Sequence, residues 1–156
     1  MPSSRAFAAT TVVLGLLALA HAALTWPIRA TVALFGGGAL VAFLGEAAVI
    51  RLGLLEHHIA PKVAGVPVYI LFGWTGVVYL ALRVSLLVLA GLPAVLGAAA
   101  LATAYDVASD HRGVADGHWS YLDDLPGPRY RDVPWWNYLG WFAISGATGA
   151  LAVSVL

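Results

Sequence analysis

The 156-residue chain has no cysteine, and that absence removes disulfides, thiolate nucleophiles and thiolate metal sites together. Charge is nearly as scarce, since Asp, Glu, Lys and Arg make up 10% of the residues and eight basic side chains balance eight acidic ones. A net charge of zero offers no basic field, so no nucleic-acid partner is expected. Ser85, Ser145 and Ser154 have no Gly-x-Ser-x-Gly setting, which argues against serine-hydrolase chemistry. Gly36-Gly37-Gly38 has no Lys-Ser/Thr after it, which argues against a phosphate-binding loop. No motif implies a cofactor.

What fills the chain is apolar: 61% of the residues, with a mean hydropathy of +0.87, a composition suited to lipid rather than water. A bilayer core takes about 20 apolar residues per helix. Five segments meet that length or nearly so, at about 6–24, 28–50, 66–89, 92–109 and 135–156. The expected fold is all-α, a polytopic bundle of about five transmembrane helices in one domain spanning 1–156. Residues 6–24 loosely fit a cleaved secretory signal ending at Ala20-His21-Ala22, but four more apolar stretches favour a first membrane helix.

Two longer polar segments, 51–65 and 110–134, fall on the same side as the amino terminus. That side carries Arg5, Arg51, Lys62, Arg112, Arg129 and Arg131, against Arg29 on the other. The bias places the amino terminus and both loops in the cytoplasm, and the protein in the cell membrane. Trp26, Trp119, Trp135, Trp136 and Tyr130 sit near helix ends, where a headgroup belt is the simplest role. The glycines at 36–38, 45, 73, 97 and 140 are expected to serve close helix packing.

The loops echo each other. Pro61-Lys62, Val66-Pro67 and Gly73-Trp74 return 67 positions later as Pro128-Arg129, Val133-Pro134 and Gly140-Trp141, and Leu55-Glu56 align with Leu122-Asp123. A duplicated loop-helix unit is the expectation, with function where the copies face each other.

Within the spans, Glu46 stands on an apolar helix about one turn from its loop end, and Asp106 is placed similarly in the fourth span. Intramembrane carboxylates are expensive and mark interiors or wet cavities. A carboxyl group kept from bulk water favours its proton-carrying form, which makes both candidate acids. The bland alternative is that each reaches interfacial water or pairs with Arg51 or Arg83. His57, His58, His111 and His118, with Glu56, Asp110 and Asp116, supply metal-ligand types without metal-ligand spacing, so they read as solvated loop residues and no metal is expected. His21 reads as a hydrogen-bonded packing residue. Asp123-Asp124 lacks the second acidic cluster that a magnesium pyrophosphate site needs. Asn137, one turn into the last span, needs a partner across helices or a bound polar group. The aromatics around it suit a carbocation.

Glu46, Gly65-Val66-Pro67 with Trp74, Asp106, Trp119 and Tyr121, and above all Val133-Pro134-x-x-Asn137-x-x-Gly140-Trp141, together resemble the membrane carotenoid-biosynthesis family that includes the carotenoid 2'',3''-hydratases. The likeness runs from about residue 40 to 142. It implies hydration of terminal double bonds of a long, fifty-carbon isoprenoid, without a redox cofactor. On that reading Glu46 or Asp106 is the acid, Asn137 or Tyr121 positions water, and Trp74, Trp119, Trp136, Tyr138 and Trp141 bind substrate. The partners would be membrane lipid, a hydrophobic isoprenoid or carotenoid, and a second copy of the chain or a larger membrane partner. Leu54-Leu55-Glu56-His57-His58 stands where the family's first loop carries Gly-x-Tyr-x-Tyr. The competing reading is a non-catalytic membrane protein, either a lipid or carotenoid binder or an accessory subunit.

Overall fold

Each long apolar run becomes a helix, and proline or glycine sets most of the breaks between them. The computed structural model describes residues 4–122 and 124–156. Helix α1 is Ser4–Thr25, and Trp26-Pro27 ends it. Helix α2, Ile28–Arg51, starts behind Pro27, whose missing amide costs nothing at a helix start. Helices α3 (Val68–Ser85) and α5 (Trp135–Val153) start behind Pro67 and Pro134, and α4 (Gly91–Ala115) follows a left-handed turn at Gly91. Helices α1 to α4 are long and apolar enough to cross a membrane; α5 is comparable in length but richer in Trp, Tyr and Asn.

Helix α4 runs to Ala115, beyond the expected end at 109, so Asp110 and His111 belong to a helix rather than a loop. Helix α3 stops at Ser85, short of 89. The amino-terminal end of α1 lies at the loop end of the bundle, where the Phe7 ring stacks on His118 at 4.4 Å.

Helix α3 is the centre and touches every other helix. Between lipid-facing helices little hydrophobic force remains, so close approach of small residues must hold the bundle. Gly15 of α1 and Gly76 of α3 provide it: a Cβ at Gly76 would stand 3.3 Å from the Gly15 Cα, and one at Gly15 would lie 2.6 Å from the Phe72 carbonyl oxygen. The expectation of packing fails at Gly140, which has nothing within 4 Å of a built Cβ. Inside α2, residues Ala33–Gly37 form one wide π turn, and Gly37 and Gly38 bring it against Leu151 and Thr148 of α5. Trp26 is not a headgroup anchor. It is 8% exposed and packs edge-on to Tyr79 at 4.9 Å, in a nest that also holds Phe35. His21 is hydrogen-bonded to the same Tyr79 hydroxyl at 2.6 Å. Trp135 and Tyr130, by contrast, are exposed.

The loops hold short strands within the otherwise helical fold. Strand β1 (Leu55–His57) pairs antiparallel with β4 (Trp119–Tyr121), in the register Leu55 to Tyr121 and His57 to Trp119, and so ties the first loop to the second. Each loop then forms a tight hairpin: β2 (Lys62–Val63) with β3 (Val66–Pro67), and β5 (Arg129–Tyr130) with β6 (Val133–Pro134). Both two-residue turns, Ala64-Gly65 and Arg131-Asp132, have positive φ throughout, as the strand twist of a hairpin prefers. Both hairpins feed their helix alike, the amide of Val68 donating to the Pro61 carbonyl at 3.0 Å and that of Trp135 to Pro128 at 3.1 Å.

Candidate functional site

Helices α2 and α4 end the same way, each with a left-handed glycine two residues past its last residue: Gly53 (φ 73°) and Gly117 (φ 71°). Seven residues before these glycines stand Glu46 and Asp110. Each meets the side chain eleven residues further on: His57 Nε2 lies 3.2 Å from Glu46 Oε2, and the Tyr121 hydroxyl donates to Asp110 Oδ2 at 2.7 Å. The loops bend back over the helix ends, and β1 against β4 holds both partners beside the carboxylates.

The second half also holds a pair that the first lacks. Asp106 lies one turn before Asp110, and Asn137 of α5 donates to its Oδ2 at 2.8 Å. The matching positions in the first half are the apolar Ala42 and Ile70. The cross-helix partner that Asn137 requires is therefore Asp106, which is 3% exposed.

These groups face a cavity of about 480 Å³ at the loop end of the bundle. Glu46, Asp106, Asp110, His57, Tyr121 and Asn137 form its polar wall, and Tyr69, Trp74, Tyr105, Trp119 and Trp141 its aromatic one. Trp74 and Trp141 stack at 3.6 Å between centroids. Thr11, Gly73, Val77 and Tyr105 also line a second cavity of about 640 Å³ between α1, α3 and α4. That groove is apolar, and Leu14, Leu17, Leu80, Val84 and Leu101 along it are exposed on the lipid-facing surface. Exposed Arg112 also lines the first cavity.

Burial first, and then the charge of Asp110, hold the Tyr121 phenol well above its ordinary range, so it remains a proton-bearing donor.

Of the residues expected from sequence, Glu46, Asp106, Asn137, Tyr121, Trp74, Trp119 and Trp141 line the cavity. Trp136 and Tyr138 do not: Trp136 packs edge-on to Tyr121 at 5.5 Å, behind the wall. Glu46 pairs with His57 rather than Arg51, and Arg83 lies 5.9 Å from the Trp26 ring centroid. His57 and His118, read from sequence as solvated, are 4% and 2% exposed. Asp110 and Tyr69 also join the wall unannounced. For Asp110 a signal exists in the sequence, since it repeats Asp106 at the four-residue helical spacing; the inward turn of His57 comes only with β1, whose residues alternate buried, exposed, buried. Among the described residues no group of three or more His, Asp or Glu is arranged to hold a metal ion. Asp123 of the Asp123-Asp124 pair lies outside the described residues.

A model of the family described as carotenoid biosynthesis protein matches residues 7–156. Nothing among the curated proteins or the solved structures matches the chain.

Proposed function

We propose, for a chain that belongs to the carotenoid biosynthesis protein family, that it adds water to a terminal carbon-carbon double bond of a long isoprenoid held in the bilayer. Asp106 in its acid form gives its proton to the less substituted alkene carbon, and the π electrons become the new C–H bond. Positive charge then rests on the tertiary carbon, facing the aromatic wall, whose ring quadrupoles attract cations. Water supplies the oxygen and releases one proton to the site, giving a tertiary alcohol with no change of redox state. Asn137 orients the Asp106 carboxyl, and Tyr121 and Asn137 hold the water. Glu46, a further carboxyl group of the cavity, is paired with an imidazole.

The observation that carries this reading is the cavity: carboxyl groups and an aromatic wall line one space, and an apolar groove edged by exposed leucines adjoins it. General acid catalysis needs the proton donor within reach of the alkene and water excluded until the cation forms. The matching hairpins, helix starts and carboxylate positions support a duplicated loop-helix unit as the origin of the site. The loops face the cytoplasm on this reading, with the chain in the cell membrane.

The test is pigment extraction and mass analysis from cells supplying the fifty-carbon precursor. Wild type yields the water adduct, and D106N yields unreacted precursor. Adduct at wild-type levels from D106N and E46Q alike sinks the mechanism. A binder without catalysis would instead retain the polyene unchanged in the wild type.

A further inference from the structure

The paired carboxylates are alike in position but not in what they hold. Glu46 holds an imidazole, which can accept a proton, and Asp110 holds a phenol, which here only donates. We infer that His57 is the catalytic base of this site, taking the proton from the attacking water while Glu46 fixes its tautomer. The inference rests on the hydration reading above and assigns the one proton that reading left without a destination.

Four observations carry it. His57 lines the cavity although it comes from a loop, because β1 turns it inward and Lys62 Nζ, donating to the His57 carbonyl at 2.6 Å, pins its backbone. Its Nε2 faces Glu46 Oε2 at 3.2 Å; a carboxylate there accepts Nε2–H and leaves the lone pair on Nδ1. Nδ1 has no hydrogen-bond partner among the described residues, although the ring is 4% exposed. Finally, the acid pair Asp106–Asn137 exists only in the second half, so donor and acceptor come from opposite halves of the cavity. A carboxylate that orients an imidazole which in turn activates an oxygen nucleophile is a known division of labour.

The step balances. As water oxygen bonds to the tertiary cation, one O–H bond breaks, its electron pair stays on oxygen, and the proton goes to Nδ1. The site then holds one proton more at His57 and one fewer at Asp106, and proton exchange with water restores both.

The test uses the full-length protein in membranes with a fifty-carbon acyclic polyene in D₂O, reading alcohol by mass and deuterium in the recovered polyene. In H57Q the cation still forms but is not captured; it loses a proton from a neighbouring carbon and returns as labelled alkene. Alcohol is expected to fall about 100-fold, the scale of a lost general base, while deuterium in the polyene persists or rises. E46Q, which keeps the ring but not the carboxylate that orients it, shifts the same way to a smaller degree. D106N loses alcohol and label together, and H58Q, at an exposed ring bonded to Ser120, matches wild type. Wild-type alcohol output from H57Q overturns the inference. So does joint loss of alcohol and label in E46Q at wild-type protein levels, which decides the matter should H57Q fail to accumulate. A wild type giving neither alcohol nor label condemns the hydration reading itself.

Discussion

The indole rings of Trp74 and Trp141 lie face to face, 3.6 Å between centroids and 13° between planes, although 67 residues separate them. They occupy matching places in α3 and α5, and their stack joins the two halves beside the acidic wall. Trp74 is buried, so W74A leaves a cavity and should cost about 3–5 kcal/mol, the range for an aromatic core truncation. Half-buried Trp141 should cost less. Thermal unfolding in detergent measures both, and an unchanged midpoint for W74A would show that the stack contributes nothing to stability.

Asn137 donates its side-chain amide to Asp106. N137A leaves a buried carboxyl oxygen without its donor, at about 1–3 kcal/mol. Conversion of the polyene should drop by at least about tenfold, as for a lost positioning group. Equal conversion by N137A and wild type, at equal protein level, would remove Asn137 from the site.

Tyr121 makes a pH prediction whose sign is fixed. Its folded phenol is raised above the unfolded value of 10.0 by burial and then by Asp110. The stability it contributes is complete below about pH 10 and declines as pH rises towards the folded value. One proton corresponds to at most about 1.4 kcal/mol per pH unit. Y121F should therefore flatten the alkaline part of the stability profile measured between about pH 9 and about pH 11; a steeper profile would reverse the assignment.

In the second hairpin, Arg131 and Asp132 take φ of 50° and 69° with no glycine between them. D132G relieves that conformation and should raise stability by up to about 1 kcal/mol. The same hairpin in the first loop already has Gly65 at its second turn position, so it offers the internal comparison. A lowered melting temperature for D132G would indicate that the Asp132 side chain itself supports the loop.

Leu80 and Leu101 line the apolar groove and are exposed on its lipid side. L80W and L101W should narrow it and reduce retention of a fifty-carbon polyene on purification, while a ten-carbon alkene with the same terminal group is still converted. Undiminished retention of the long chain would place the tail elsewhere.

Much of this is legible in the sequence. The apolar runs define the helices because length and hydropathy suffice in lipid, and Glu46, Asp106 and Asn137 stand out as polar residues inside them. The pairing of Glu46 with Asp110 did not show, because the matched segments run at two offsets. Helix ends correspond at 64 residues, as Gly53 with Gly117, and hairpins at 67, as Val66 with Val133. At the fixed offset Glu46 falls opposite Gly113, and three extra loop residues hide the match. His57 was passed over because Glu56-His57-His58 reads as polar loop; only the pairing of β1 with β4 turns one of the two histidines inward. Trp26 was misplaced because position near a helix end cannot distinguish a ring facing headgroups from one folded back onto Tyr79.

The two cavities share four wall residues, Thr11, Gly73, Val77 and Tyr105, so the polar space and the apolar groove lie against each other across one short stretch of helix. On the proposed hydration, an alkene would reach the site sideways from hydrocarbon, already concentrated by the bilayer. Water would then be the scarce reagent, and the charged residues Arg112 and Asp116 in the cavity lining are where it would gather. For such a protein, the rate would be set by how wet one end of a membrane helix bundle becomes rather than by how tightly it grips an oil.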